Sequence, residues 1–310
     1  MDKKYLGQIK LGLIQRGVTI PPLLQGLEEV AGGLCSGEPG EEVTLALAEN
    51  FIVKTSLNPS GKEGPKLISQ EDRLRLYMEE GEMDVGIIPI PEFLKQQLKK
   101  RTPVSENICL DGYCLNVFLR AMGRGKKLSM PIEAILSVIQ AAFEEGAADL
   151  VQLNMDYSNE GDRGFHRLAP LVEAIKKRFN TFVALKGFPP TDRSTIDLIY
   201  ASGFDIVNFP MGGFYGTDKS KKIMDVEKIY GALEYASSVF SPGTVWTDLA
   251  LGPGSQNKFK EGIDRLTDSG IIPLILLQRD SVSDSEGYHK LVELADHMDQ
   301  AIQRNRLPLK

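Results

Sequence analysis

Short apolar runs rich in β-branched residues alternate with longer amphipathic segments from about residue 105 to the C-terminal end. This alternation predicts strands joined by helices. The predicted strands are 113–119, 149–155, 181–188, 204–210, 244–251 and 271–278. The predicted helices are 131–145, 165–179, 193–202, 225–239, 257–269 and 284–303.

Three of the predicted helices close on a glycine that stands just before a strand, at Gly146, Gly203 and Gly270. Because each crossover helix returns the chain to the same end of the sheet, six units in series predict parallel strands. Six units are fewer than the eight of a closed barrel. The expected fold is therefore α/β, with a partial (βα)6 TIM-like barrel over residues 105–310.

Residues 1–104 have a different pattern, which predicts a smaller N-terminal α/β domain or an extension packed on the barrel. The predicted helices lie near 3–16, 22–31, 69–80 and 91–100, and the predicted strands are 42–48, 51–57 and 83–90. The turn-rich segment 58–66 is expected to be a surface loop.

The composition is ordinary for a globular protein, with 42% hydrophobic and 25% charged residues, which excludes the disordered, collagen-like and coiled-coil classes. The formal net charge of −6 gives no reason to expect a nucleic acid or an anionic membrane as partner. The first 17 residues lack the apolar core of a signal peptide, and the longest apolar run, 271–277, is too short to span a bilayer. We therefore expect a cytoplasmic protein with a small-molecule ligand.

The stretch "ICLDGYCLNVFL" (108–119) contains two of the three cysteines. Asp111-Gly112 predicts a two-residue hairpin turn that places Cys109 opposite Cys114, roughly 4.5 Å apart at the Cα atoms. Such a pair could be two buried structural thiols, a redox pair or two metal ligands. Val117 stands where a third ligand would belong, and it points to the opposite face.

Three phrases, taken in order, resemble the barrel of radical S-adenosylmethionine (SAM) enzymes over about residues 105–280. They are "VQLNMDYSNEGD" (151–162), "VNFPMGGF" (207–214) and "ALEYASSVFSPGTVWTDLALGPGSQNKFKEGIDRLTDSGIIPLILLQR" (232–279). The resemblance implies contacts to the methionine amine, the ribose and the adenosine of SAM. The implied cofactor-binding residues are Asn159, Glu160, Gly161, Asn208, Gly252, Gln278 and Arg279.

The resemblance stops at the three-cysteine motif that holds three irons of the [4Fe–4S] cluster in that family. This chain has Val117 in the third place, and the loop after the first strand, 120–129, contains no cysteine. A [4Fe–4S] cluster is therefore not expected. We expect SAM or a related nucleotide to bind at the barrel mouth, with a separate protein as catalytic partner.

Polar side chains at the ends of the predicted strands should meet at this mouth, because the active sites of barrels lie at the C-terminal ends of their strands. The loop 120–129 carries Arg120, Arg124, Lys126 and Lys127, which could bind an anion or could merely be solvated. Lys186 follows an apolar run and could be a base or a Schiff-base nucleophile, or could simply pair with Asp156 or Glu160.

Polar residues at other strand ends are Asn208, Asp248, Gln278 and Arg279. His166 could join Asp156 and Glu160 as a metal ligand or acid/base group, or could belong to a helix cap. No metal site is predicted.

Three hypotheses follow. The first is a radical-SAM-like barrel without its own cluster. The second is a lyase or aldolase in which Lys186 is the base or nucleophile, with Asp156 and Glu160 as further catalytic candidates. The third is a non-catalytic assembly subunit that docks through the N-terminal region.

Overall fold

The computed structural model describes residues 3–20, 42–47, 51–58, 64–70, 73–79, 81–100, 107–119, 130–211, 225–250, 256–276 and 285–308. The helices are α1 Lys3–Arg16, α2 Glu92–Lys100, α3 Ile132–Glu144, α4 Ala169–Arg178, α5 Arg193–Ala201, α6 Val226–Val239, α7 Gln256–Asp268 and α8 Ser285–Arg304. The strands of the N-terminal part are β1 Val18–Thr19, β2 Glu42–Ala46, β3 Ile52–Asn58, β4 Lys66–Gln70, β5 Arg73–Met78 and β6 Gly81–Ile87. The remaining strands are β7 Ile108–Asp111, β8 Cys114–Leu119, β9 Leu150–Met155, β10 Phe182–Lys186, β11 Ile206–Asn208, β12 Val245–Ala250 and β13 Ile272–Leu276.

The second half of the chain forms a seven-stranded sheet in the order β13-β12-β11-β10-β9-β8-β7. Strands β8 to β13 are parallel and neighbour one another in chain order, whereas β7 is antiparallel to β8. A sheet that always adds its next strand on the same side curls in one direction, as in a barrel, and does not reverse as in a doubly wound fold. The expected α/β fold with a partial (βα)6 barrel is confirmed.

The helices pack on one face of this sheet, to which the strands present apolar residues at every second position. Val151, Leu153, Val183, Leu185 and Val207 are fully buried and belong to one core cluster with the apolar positions of α3 to α7. Gly146, Gly203 and Gly270, which follow three of the helices, have φ values of 65°, 98° and 79°. A side chain is disfavoured at such φ values, so these glycines allow each helix to end directly at a strand.

The N-terminal part contains a closed barrel in the order β1-β3-β2-β6-β5-β4, packed against α1 through a second core cluster. The predicted helix at 69–80 is wrong, since β4 and β5 form an antiparallel pair there. Residues 73–78 are good helix formers, but they also have an apolar residue at every second position. The segment forms a strand because this alternation places Leu76 in the barrel core. The helix predicted near 22–31 and the proposed division at 104/105 lie outside the described residues.

The β7–β8 hairpin has a different register from the predicted one. Asp111 pairs with Cys114 and Cys109 with Asn116, so Gly112 and Tyr113 form the turn and the two cysteines are not opposite each other. Gly112 has φ 59°, as the first central residue of a type II′ turn requires, and this arrangement leaves Tyr113 without a positive φ. Cys109 is disulfide-bonded, whereas Cys114 is a free thiol, so the two do not form a pair.

The N-terminal part and the seven-stranded sheet are in contact through α1 and α8. The Tyr288 hydroxyl of α8 donates a hydrogen bond to the Gln8 carbonyl oxygen of α1 at 3.2 Å. Among the described helices, none combines the length and apolar character needed to cross a membrane.

Candidate active site

The concave face of the seven-stranded sheet, opposite the helices, carries polar residues in place of an apolar core. The pairing register puts Asn154, Lys186 and Asn208 side by side on β9, β10 and β11. Asp248 lies on the same face of β12, two residues beyond Trp246, which is the partner of Asn208. Since these positions are at or near the C-terminal ends of the strands, they form the floor of the barrel mouth.

Lys186, Asn208 and Asp248 form one connected group, which we call the lysine triad. Lys186 Nζ lies 2.5 Å from Asp248 Oδ2, and Asn208 Nδ2 donates to Asp248 Oδ1 at 2.8 Å. Both carboxylate oxygens therefore have a donor. The Asp248 side chain is only 3% exposed, whereas that of Lys186 is 31% exposed. The carboxylate is thus fixed in the interior while the lysine remains accessible to a ligand.

Asn208 has an unused acceptor. Its residue is 1% exposed, and its Oδ1 atom is buried without a hydrogen-bond partner. Such an atom in the interior is costly and is uncommon in native structures. Because the amide nitrogen is held by Asp248, the orientation of Oδ1 is fixed, and a donor from a ligand would reach it once the side chains that cover it move aside.

A second polar group on β8 and β9 consists of Asn116, Gln152 and Asn154, which we call the amide cluster. Asn116 Oδ1 accepts from Gln152 Nε2 at 2.7 Å and from Asn154 Nδ2 at 3.1 Å. Gln152 Nε2 also donates to Asn154 Oδ1 at 3.0 Å. Asn154 neighbours Lys186 across the strand pair, so the amide cluster continues the polar surface beside the lysine triad.

The loop after β9 is organised by Arg163, which has φ 57° and is 6% exposed. Its guanidinium donates to the Ser158 and Pro189 carbonyl oxygens at 2.8 and 3.2 Å, and it lies over the Tyr157 ring at 5.0 Å from the centroid. Thr191 N also donates to the Gly161 carbonyl oxygen at 2.9 Å. These contacts fix the loop after β9 against the loop after β10.

The carboxylates of this loop do not reach the lysine triad. Glu160 forms an ion pair with Arg167, and Asp156 and Asn159 are exposed. Lys186 is therefore paired with Asp248 and not with Asp156 or Glu160. Of the sequence-predicted site residues that the structure describes, Lys186 and Asn208 come together, whereas Asp156, Asn159, Glu160 and Gly161 lie apart from them in the loop.

The other predicted site residues lie outside the described residues: Arg120, Arg124, Lys126, Lys127, Gly252, Gln278 and Arg279.

Glu160, Asp162 and His166 have ligand atoms within 4.8 Å of one another, but hydrogen bonds within the loop account for this group. The Asp162 carboxylate accepts from Gly164 N at 2.9 Å and from both the backbone and the ring of His166. Burial opposes ionisation of Asp162, but the hydrogen bonds from His166 and Gly164 outweigh it and lower the pKa of that carboxyl group. His166 thus pairs with Asp162 within its own loop, and its role stays a prediction.

The described cysteines do not fit an iron–sulfur cluster at the mouth. Cys114 begins β8 and so lies at the end of the sheet away from the mouth, and Cys109 is in a disulfide. Burial, followed by the charges of Asp111 and Asp149, raises the pKa of the Cys114 thiol to about 12. A ligand to iron must be a thiolate, so this protonated thiol is a poor candidate.

Sequence reasoning missed the amide cluster and gave Asp248 no role beyond that of a polar strand end. The signal was present, because Gln152 and Asn154 alternate with Val151 and Leu153 inside a buried strand. Polar residues at every second position of a barrel strand indicate a polar interior.

No protein-family model matches the chain, and no curated protein matches it. Solved structures with some similarity include a dihydropteroate synthase from Coxiella burnetii in complex with pteroic acid (14% identity, TM-score 0.29). That match covers 60% of this chain and 54% of the Coxiella chain, so it spans about half of that protein.

A Yersinia pestis dihydropteroate synthase with a pterine-sulfa conjugate is 16% identical over 62% of this chain and 68% of its own, with a TM-score of 0.37. A Schiff base-forming fructose-1,6-bisphosphate aldolase is 17% identical over 51% of this chain and 61% of its own, with a TM-score of 0.33. None of these three is described as a radical SAM enzyme, and the radical SAM resemblance stays a prediction. Similarities this low carry no argument about function, which rests on the site itself.

Proposed function

We propose that this protein is a barrel enzyme of the lyase or aldolase type that acts on a small carbonyl compound, with Lys186 as its Schiff-base nucleophile or its base. The observation that carries the proposal is the 2.5 Å contact between Lys186 Nζ and the buried Asp248 carboxylate. A partly exposed lysine beside a fixed carboxylate at the C-terminal end of a barrel strand has both the access and the proton acceptor that this chemistry needs.

The lysine triad can carry out the proton transfers of Schiff-base formation. Asp248 accepts a proton from the Lys186 ammonium group, which leaves the neutral amine free to attack the carbonyl carbon. As the new C–N bond forms, one proton passes from the amine nitrogen to the carbonyl oxygen. Asp248 then returns its proton to that oxygen, which leaves as water to give an iminium ion and the Asp248 carboxylate. The iminium takes up the electron pair of an adjacent bond as that bond breaks: a C–H proton passes to the Asp248 carboxylate, or a C–C bond releases an aldehyde whose hydroxyl proton passes to that carboxylate.

The surroundings of Lys186 favour a substrate with hydroxyl groups near the carbonyl. Asn208 Oδ1 can accept a hydrogen bond from such a hydroxyl, and the amide cluster offers further polar atoms on the neighbouring strands. If the substrate also has an anionic group, Arg120, Arg124, Lys126 and Lys127 remain the residues proposed for it from their place after β8.

Reductive trapping tests the proposal. The protein would be incubated with a panel of hydroxyaldehydes and hydroxyketones, reduced with borohydride, and digested for mass spectrometry. We expect a stable adduct on Lys186 that is lost in Lys186→Met and retained in Lys177→Met, since Lys177 is an exposed residue of α4. Equal trapping by Lys186→Met would refute the Schiff-base role.

The role of Lys186 as a base has a separate readout. Without trapping, exchange of substrate C–H for solvent deuterium that depends on Lys186 would identify the lysine as a base. If the panel gave neither adduct nor exchange above the level of Lys186→Met, the enzyme proposal would fail for this substrate class.

Binding of SAM or a related nucleoside at the same mouth is a second candidate function, as the sequence resemblance implies. One observation favours it, because the unpartnered Asn208 Oδ1 could accept a hydrogen bond from a ribose hydroxyl. Isothermal titration with SAM and with adenosine would test it. Binding that Asn208→Ala weakens about tenfold would support this candidate, and binding unaffected by that change would oppose it.

A further inference from the structure

A second concavity, distinct from the lysine triad, lies between the N-terminal barrel and the seven-stranded sheet. Its volume is about 1090 Å³, and its lining does not include Lys186, Asn208 or Asp248. The walls come from α1, β2, β3 and α2 on one side and from the β7–β8 turn, the end of α3 and β13 on the other. The volume is at the upper end of the range found for small-molecule sites.

The lining of this interdomain cavity is mainly apolar. Ile14, Phe51, Ile90, Tyr113 and Leu276 are among its residues. Tyr113 and Leu276 are 43% and 42% exposed, so both present apolar surface to the cavity. The cavity therefore has an apolar surface that no described residue covers. The apolar part of a ligand could pack on this surface.

Most charged groups of the lining already have partners. Lys54 Nζ lies 2.6 Å from a Glu42 carboxylate oxygen, and Lys95 lies 3.9 Å from Glu92. The Glu145 carboxylate accepts hydrogen bonds from the Glu92 and Phe93 backbone N–H groups, both at 2.8 Å. These contacts hold the walls of the cavity in place. A ligand could bind one of these charged groups only by breaking the contact that the group already makes.

Lys10 differs from these groups. Its ammonium lies over the Phe51 ring, 5.3 Å from the centroid, and no carboxylate of the described residues lies within ion-pair distance. Burial lowers the pKa of Lys10, and the charge of Asp111 offsets this only in part. This half-buried ammonium group lies over an aromatic ring and has Asp111 nearby, but among the described residues it has no carboxylate in direct contact.

We propose that the interdomain cavity binds a small amphiphilic monocarboxylate, whose carboxylate contacts Lys10 Nζ and whose apolar part packs on Phe51 and Leu276. The carboxylate would give Lys10 the direct ion pair that Asp111, which acts on it from farther away, does not form, and the apolar part would cover the exposed side chains of the lining. This inference is independent of the chemistry proposed for Lys186.

Isothermal titration with decanoate, and with decan-1-ol as its uncharged counterpart, tests the proposal on the full chain. We expect saturable 1:1 binding of decanoate and binding of decan-1-ol that is at least about tenfold weaker, since a hydrogen-bonded charge pair contributes on this scale. Lys10→Met should weaken decanoate binding about tenfold and leave decan-1-ol unchanged. Lys10→Arg, which keeps the charge, should retain most of the affinity.

Lys177→Met serves as the matched control, because it removes an exposed lysine far from the lining and should not alter the affinity. Thermal unfolding of each variant shows whether it is folded, and Lys10→Arg keeps the test decisive if Lys10→Met is not. The proposal is overturned if decanoate does not bind, if it binds no better than decan-1-ol, or if folded Lys10→Met binds it as wild type does.

Discussion

Two lysines of this protein, one in the barrel mouth and one in the cavity between the N-terminal barrel and the seven-stranded sheet, have different electrostatic surroundings. In the barrel mouth, Lys186 contacts a carboxylate that is itself held by Asn208. In the interdomain cavity, Lys10 lies over an aromatic ring, and no carboxylate of the described residues forms an ion pair with it. The first lysine has a carboxylate in direct contact within the protein, whereas the second has only the more distant charge of Asp111 and would receive a direct ion pair from a ligand.

The difference determines what each lysine does for stability. Removing one member of a buried ion pair leaves the other charge uncompensated, which is strongly unfavourable. Removing a lone, partly buried charge instead removes a desolvation cost. The same substitution, lysine to methionine, should therefore change the free energy of unfolding in opposite directions at the two sites. The sign of the change would therefore distinguish a lysine that stabilises the fold through an ion pair from a lysine whose charge serves the proposed ligand binding.

Lys186→Met should have the largest effect, a loss of about 3 kcal/mol in the free energy of unfolding. The substitution leaves the Asp248 carboxylate, whose side chain is 3% exposed, with Asn208 as its donor among the described contacts. Urea unfolding followed by circular dichroism measures the change.

Arg178→Met is the control for that measurement. Arg178 pairs with Glu133 at 3.0 Å, but the two side chains are 49% and 74% exposed, so this loss should stay within about 0.5 kcal/mol. If Lys186→Met cost no more than Arg178→Met, the Lys186–Asp248 contact would be an ordinary surface pair.

The double variant Lys186→Met/Asp248→Leu should recover roughly 2 kcal/mol of that loss. When both charges are replaced by apolar groups of similar volume, no ion remains uncompensated. Reductive trapping should still be absent, because the nucleophile is gone. Urea unfolding of the wild type and the single and double variants forms a cycle that separates the structural from the chemical role of the triad. A double variant no more stable than Lys186→Met would show that packing, and not charge, decides the loss.

The sequence predicted the six βα units because each local signal agreed with the fold. The strands are short and apolar, and glycines at 146, 203 and 270 stand where the helices must end. The N-terminal barrel was not predicted, because its closure depends on the pairing of β1 with β3 and β4 and of β2 with β6, which are distant in the chain. Residues 73–78 show the conflict, since their helix-forming composition is overridden by pairing with β4 and β6.

The candidate site was predictable in part. Lys186 and Asn208 end neighbouring strands, so their proximity follows from the order of the units alone. The contact with Asp248 depends on the curl of the sheet, because β12 is separated from β10 by a whole strand. Lys10 could not be recognised at all, since the cavity it faces is formed by elements from both halves of the chain.

Lys10→Met should raise the free energy of unfolding at pH 7 by about 0.5 to 1 kcal/mol, because it removes a charge that burial disfavours. Binding residues commonly cost stability in this way. Urea unfolding without added ligand measures the change, with Lys177→Met as the neutral control. A destabilised Lys10→Met would mean that the ammonium group has a compensating partner, and the contrast with Lys186 would disappear.

The stabilising effect of Lys10→Met should itself depend on pH, by less than about 1 kcal/mol. Because the pKa of Lys10 is lowered in the folded state from 10.5, the unfolded chain binds more protons between the folded pKa and pH 10.5. Within that window the wild-type protein gains stability relative to Lys10→Met as the pH rises. Below the window the full cost of the charged lysine is present, and above pH 10.5 it has been removed.

The free energies of unfolding of the wild type and of Lys10→Met, measured from pH 7 to pH 10.5, test this sign. Subtracting one from the other removes the pH dependence that the two proteins share. The other charged groups of the cavity are present in both proteins, namely Asp111, Glu92, Glu145, Lys54 and Lys95. Saturating decanoate should abolish the gain, because a bound carboxylate favours the protonated lysine and raises its pKa again. If, without ligand, the stability of the wild type relative to Lys10→Met fell as the pH rose, Lys10 would already have an ion-pair partner in the folded protein, as Lys186 does.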